Sequence, residues 1–149
     1  MKHEHTIRLL TTFGTVPFIA AAIAEFVGIS LFGHTPVEIF SSYGTVIISF
    51  LAGSIWGAAR YQNTTDNQAA DTPSKAPFVA TNVLTLVCWF ALLQSSFVFA
   101  LGVNGLLFIA LYRVEATRER DGSYRRLRRV VTTLVVLLHL IMVVILWLV

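Results

Sequence analysis

The sequence predicts an all-α fold, an integral membrane bundle of five transmembrane helices. Three observations lead there. Of the 149 residues, 56% are hydrophobic and 13% are charged, against roughly 25% charged in an average soluble domain, and the mean hydropathy is +0.73. One soluble core of this size cannot hide so much apolar surface, so the excess faces lipid. Apolar runs of about membrane length recur between short polar connections. Finally, the Lys and Arg residues fall on one side of the resulting alternation of spans, as the positive-inside rule requires.

The first helix is expected over 9–32, where Glu25 is the one charge and Pro17 the one proline. At 1.5 Å per residue it spans about 36 Å, enough for a tilted crossing, and Gly33 is the expected C-cap. A basic start followed by Ala20-Ala21-Ala22-Ile23-Ala24 also fits a signal peptide, but the apolar run continues to Phe32 and favours a retained span. The second helix is expected over 39–61. A polar connection over 62–76, with Pro73 and Pro77 near its end, excludes an unbroken helix there.

Residues 78–112 are largely apolar. One straight helix of that length would measure roughly 52 Å, too long for a core of about 30 Å. Two helices, 78–93 and 97–112, joined at Gln94-Ser95-Ser96 fit better, each short at roughly 24 Å. A basic inner loop over 113–129 follows. In it Glu115 and Glu119 flank Arg118 at helical spacing, and Asp121-Gly122 supplies a turn. The last helix is expected over 130–149, with Trp147 as an interfacial anchor.

With five spans, and Arg60 at the inner end of the second helix counted with the connection after it, the N-terminus, the second connection and the fourth hold two, two and seven Lys or Arg residues, which accounts for all 11 in the chain. The other side holds none. The pattern places the N-terminus inside and the C-terminus outside, in a bacterial cytoplasmic membrane. It also requires 78–112 to cross twice, because four spans would put two basic connections on opposite sides.

Few residues carry chemistry. Thr45, Ser49, Gly53 and Gly57 recur at four-residue spacing, a row suited to helix packing within the bundle, with a copy of itself or with a partner. Glu25, Asn104 and His139 are the candidate intramembrane polar site, because a carboxylate or imidazole at membrane depth is expensive and faces a polar interior. Each also has a structural reading as an internal hydrogen-bonding group. Rise arithmetic sets Glu25 and His139 about 10 Å apart in depth, which argues against a direct pair. Asn82 is expected to bond between helices, as is Asn104. Trp56 and Tyr61 suit the interfacial belt. Arg125, Arg126, Arg128 and Arg129 are assigned to topology and lipid headgroups. Cys88, the one cysteine, is expected to be buried and unreactive. No metal-ligand cluster and no phosphate loop is present in the sequence, so no catalytic residue, metal or cofactor is predicted.

The second-helix stretch has a recognisable pattern: Tyr43-Gly44, Ile47, Ser49-Phe50-Leu51, Gly53 and Trp56-Gly57. With Gly14 and Pro17-Phe18 upstream and Tyr124, Leu127-Arg128 and Thr132 downstream, it resembles an uncharacterised membrane family, domain of unknown function 3429. That family includes a mitochondrial transmembrane protein of animals. The usual Pro-Trp before the downstream Tyr is replaced by Gly122-Ser123. The resemblance implies about five helices in a bacterial or mitochondrial membrane and carries no catalytic residues.

Three functional classes follow. The first is a non-enzymatic accessory, assembly or scaffolding subunit, with the bilayer and a membrane-protein partner or a second copy as contacts. The second is a carrier or channel for a small or lipid-like substrate. The third is a membrane enzyme acting on lipid or quinone, with His139 or Glu25 as proton carrier. Nucleic acid is not an expected partner, since the basic cluster is tethered at a membrane surface.

Overall fold

The computed structural model describes residues 2–65, 75–117 and 122–148. Among these it has six α-helices: α1 (Lys2–Phe13), α2 (Val16–Val27), α3 (Pro36–Thr65), α4 (Ala76–Leu92), α5 (Phe97–Ala116) and α6 (Gly122–Leu148). Helices α1 and α2 are the two arms of one broken span. Helix α3 packs against α2, α4 and α5, and α6 packs against α5, α2 and α1. The described chain is therefore an all-helical bundle of five apolar segments. Four are long and apolar enough to cross a membrane: Arg8–Val27, Pro36–Arg60, Phe97–Ala116 and Gly122–Leu148. The fifth, α4, has 17 residues and is about 26 Å long, slightly under the hydrocarbon thickness.

The core is a small set of fully buried side chains, among them Phe18, Phe40, Ile48, Leu101, Leu111 and Met142. Large apolar side chains such as Phe26, Val79, Leu86 and Leu140 are exposed. A water-soluble protein rarely shows so much; here that surface is the lipid-facing one.

The break between α1 and α2 has a local cause. Pro17 has no N–H to give to the Phe13 carbonyl, and the chain turns at Gly14–Thr15. The Thr15 hydroxyl donates to the Thr12 carbonyl at 2.8 Å. The Tyr43 hydroxyl, reaching across from α3, donates to the Gly14 carbonyl at 3.0 Å.

Helix α2 stops at Val27, five residues before the expected end. Gly28, at φ +73°, is the left-handed cap. Its N–H donates to Glu25 O at 3.1 Å, and Ile29 N–H reaches Ala24 O at 2.9 Å, which together make a Schellman motif. Gly33, expected to be the cap, is instead a turn residue. Phe32 (φ +55°) and Gly33 (φ +79°) are the central pair of a tight turn closed by reciprocal Leu31–His34 hydrogen bonds, as in a type I′ hairpin.

Helix α3 starts three residues before the expected 39, at a capping box: the Thr35 hydroxyl accepts from Glu38 N–H at 3.4 Å and Glu38 Oε2 accepts from Thr35 N–H at 2.9 Å. Ser96 caps α5 by accepting from Phe99 N–H at 3.3 Å, so Leu93–Ser96 is the turn between α4 and α5. Helix α5 runs to Ala116 and α6 begins at Gly122, eight residues before the expected 130, so both described ends of the segment expected as a loop are helical. Trp56 meets Phe78 edge-on at 5.4 Å, with the Arg60 guanidinium 5.8 Å from the indole centroid, joining the end of α3 to the start of α4. Pro73, the Arg118 and Glu119 members of the expected charge pairing, Asp121 of the expected turn and the Tyr61 side chain lie outside the described residues.

Two of the three left-handed positions make opposite predictions. Gly28→Ala should lower stability by about 1 kcal/mol, since a Cβ disfavours positive φ. Phe32→Asn should raise it by up to about 1 kcal/mol, since Asn tolerates that conformation better. Thermal unfolding in one detergent, followed by circular dichroism, checks both.

Candidate functional site: a polar core cluster and a lateral groove

Two places gather polar side chains. The first lies in the core, where α3, α4, α5 and α6 meet around Gly44. Asn104 is fully buried; its amide donates to the Ser41 carbonyl at 3.2 Å, bridging α5 to α3. Cys88 Sγ on α4 sits 3.1 Å from Asn104 Oδ1 and 3.3 Å from Thr45 Oγ1, weak thiol contacts. The Thr45 hydroxyl donates back to the Ser41 carbonyl at 3.1 Å.

His139 stands beside this network inside an aromatic box. Its ring centroid is 4.8 Å from Phe40, 5.5 Å from Phe108 and 5.6 Å from Phe18. Nδ1 lies 2.8 Å from the Val135 carbonyl. A carbonyl only accepts, so Nδ1 carries the proton and, in the neutral ring, Nε2 presents its lone pair. Among the described residues His139 Nε2 and Ser41 Oγ have no hydrogen-bond partner, a cost on the order of 1–3 kcal/mol for each. Gly44 is what lets the helices close here. A Cβ on it would lie 3.0 Å from Asn104 Nδ2 and 3.6 Å from both His139 Nε2 and Phe18 Cε1.

Glu25 belongs to neither the network nor the box. Half-buried at the end of α2, it accepts the Val37 backbone N–H through Oε2 at 2.9 Å and so neutralises one of the free donors at the start of α3. Among the described residues no bond joins it to His139. Asn82, expected to bond between helices, donates within its own helix to the Phe78 carbonyl at 2.8 Å. The row Thr45, Ser49, Gly53 and Gly57 does not share one packed face. Four-residue steps on a 3.6-residue helix rotate by about 40° each, about 120° from Thr45 to Gly57. Thr45 therefore meets Cys88, whereas a Cβ at Gly53 or Gly57 would meet nothing within 4 Å.

The second place is a groove of about 760 Å³ between α1 and α3, floored by α6. It falls within the roughly 300–1,000 Å³ typical of small-molecule pockets. At its polar end stand Arg8, Tyr124, Glu115 and Arg128; its deep end is lined by Phe18, Phe108 and Val135. Leu10 and Phe50 line it while remaining 69% and 70% exposed, so it opens sideways. The break at Gly14–Thr15 divides the first span into α1 and α2, both of which pack on α6. On the facing wall, α3 offers the short side chains of Ser54 and Ala58.

Four bonds fix the polar end. Arg128 pairs with Glu115 on α5 through Nη2 at 2.7 Å and Nε at 2.8 Å. The Tyr124 hydroxyl donates to the other Glu115 oxygen at 3.2 Å. Arg8 donates to the Ser123 hydroxyl at 2.7 Å. Of the four arginines assigned to headgroups, Arg125, Arg126 and Arg129 are exposed, while Arg128 is turned inward. Arg129 also donates from Nε to the Tyr112 hydroxyl at 3.3 Å.

The family model described as "Protein of unknown function (DUF3429)" matches residues 3–144. The chain belongs to this family. No curated protein and no solved structure matches it. The residues that carry the resemblance to DUF3429 fall largely on the groove: Gly14, Phe18, Ile47, Phe50, Leu51, Tyr124, Leu127, Arg128 and Thr132 all line it. Pro17 breaks the first span, Tyr43 pins the break and Gly44 closes the core cluster. The groove was partly legible beforehand: Tyr124, Leu127, Arg128 and Thr132 recur at spacings that share one helix face. The partnership of Arg128 with Glu115 was not, since it crosses between helices.

Two glycines on α3 separate these environments. Gly44→Ala should destabilise by about 1–2 kcal/mol, because its Cβ drives into Asn104, which is held at both ends of its amide. Gly53→Ala should be neutral or stabilising by up to about 1 kcal/mol, since its Cβ enters open space and Ala favours helix. Parallel thermal unfolding of the two variants tests the contrast.

Proposed function

We propose that this DUF3429 member is a non-enzymatic membrane protein that holds a lipid-like chain in the lateral groove between α1 and α3. The observation carrying this reading is the groove itself: about 760 Å³, apolar at depth, polar at one end and open to the side. A bilayer molecule can enter without crossing a headgroup layer. None of Glu25, Asn104 and His139 lines it. Asn104 and His139 sit in a packed core, and Glu25 caps α3. That arrangement favours holding a molecule over passing a polar solute along those three residues, and over chemistry at His139.

Native mass spectrometry of the full chain from mild detergent tests the proposal. One retained amphiphile per chain is expected. Ser54→Phe with Ala58→Phe should release it by filling the groove wall, leaving helical content unchanged. A wild-type chain that retains nothing, or a filled variant that still retains it, refutes the reading.

The accessory-subunit reading has an observation of its own. Gly53 and Gly57 leave α3 without side chains on an exposed face, which suits close approach by another helix. Gly53→Leu should then weaken self-association or partner retention in sedimentation without lowering thermal stability. Unchanged association removes this second reading. The positive-inside distribution of Lys and Arg supports placing the basic end on the cytoplasmic side of a bacterial inner membrane.

A further inference from the structure

We propose that the groove is selective for a phospholipid of net negative charge, with Arg8 as the residue that holds the headgroup phosphate. This rests on the reading of the groove as a lipid-chain site and specifies its ligand.

Depth is the first argument. From Tyr124 at the polar end to Val135 at the deep end, the groove follows α6 for about 16 Å. Half of a hydrocarbon core of roughly 30 Å is about 15 Å. The groove therefore spans one leaflet, the one at the basic end of the bundle. It has the length of an acyl chain whose headgroup stays at the surface. Arg8 lines the polar end of this groove with Tyr124 and Arg128, the end that a headgroup phosphate would occupy.

Charge is the second. The groove carries three ionic side chains: Arg8, Arg128 and Glu115. Two positive charges less one negative leave a net of +1. Arg128 and Glu115 satisfy each other at 2.7 Å. Arg8 bonds the neutral Ser123 hydroxyl, and among the described residues no carboxylate pairs with it. Among the described residues lining the groove, its charge is the one not met by a carboxylate, and a guanidinium fork matches two phosphate oxygens. The exposed Arg125, Arg126 and Arg129 surround the same end of α6. A zwitterionic headgroup would bring its own cation into this field; an anionic one would not. Charge complementarity thus selects the headgroup, while the apolar depth accepts any chain of suitable length.

The test uses the full chain in detergent, titrated separately with pyrene-labelled phosphatidylglycerol and phosphatidylcholine, and energy transfer from tryptophan as readout. Saturable binding of one phosphatidylglycerol per chain is expected, about fivefold tighter than phosphatidylcholine, the effect of one arginine at a membrane surface. Arg8→Gln should remove that preference and leave phosphatidylcholine binding unchanged. Arg126→Gln, on the exposed side of α6, should retain most of it. Equal affinity of the wild-type chain for the two lipids, with Ser54→Phe still weakening both, overturns the headgroup assignment and leaves the groove reading standing. Equal loss of preference in Arg126→Gln and Arg8→Gln overturns Arg8 as the ligand and points to diffuse surface charge. Undiminished binding of both lipids to Ser54→Phe overturns the groove reading itself.

Discussion

In lipid, a backbone group without an internal partner is not rescued by water, and every interruption of a helix must be answered by the protein itself. The Tyr43 hydroxyl on the Gly14 carbonyl is that answer for the first span. Pro17 makes the break and Tyr43 makes it tolerable at depth. Much of the architecture follows. Helix α2 is free to carry Phe18 into the core, against Phe40 and Tyr43 with ring centroids 4.9 Å away. Helix α1 lies on α6, as α2 does, and the groove opens beside it.

The polar side chains divide by the same constraint. Deep in the bundle, Thr45, Cys88 and Asn104 bond one another or the Ser41 carbonyl, and Gly44 removes a Cβ that would press on Asn104. His139 is fixed on one nitrogen and closed in by aromatic rings. At the basic end, one arginine is neutralised by Glu115 and buried, and Arg8 stands at the groove, bonded to the Ser123 hydroxyl. The interior is thus packed and the basic end charged and open to the side.

Helix existence was legible because apolar length and charge alternation are one-dimensional quantities. The length of 78–112 demanded a turn, and Ser96 supplies its cap. Helix ends were less legible. Gly28 and Gly33 both have positive φ, and which of two glycines ends a helix depends on hydrogen bonds that composition does not record. The described ends of the segment read as a loop are helical, 113–116 in α5 and 122–129 in α6, where Arg128 and Tyr124 find Glu115 across the hairpin.

By itself the sequence determined that this protein is a helical membrane bundle, with its cations at one end and a recognisable second membrane helix. Hydrophobic length, charge placement and local spacing are all carried along the chain. Only the tertiary structure decided what each marked residue does. Glu25 became a cap and Gly44, not Gly53, the close contact. Arg128 became a partner of Glu115, and Arg8 the cation at the mouth of a groove. The reason is geometric: a row at four-residue spacing turns around its helix, and whether each member meets a neighbour or open lipid depends on where the other helices stand.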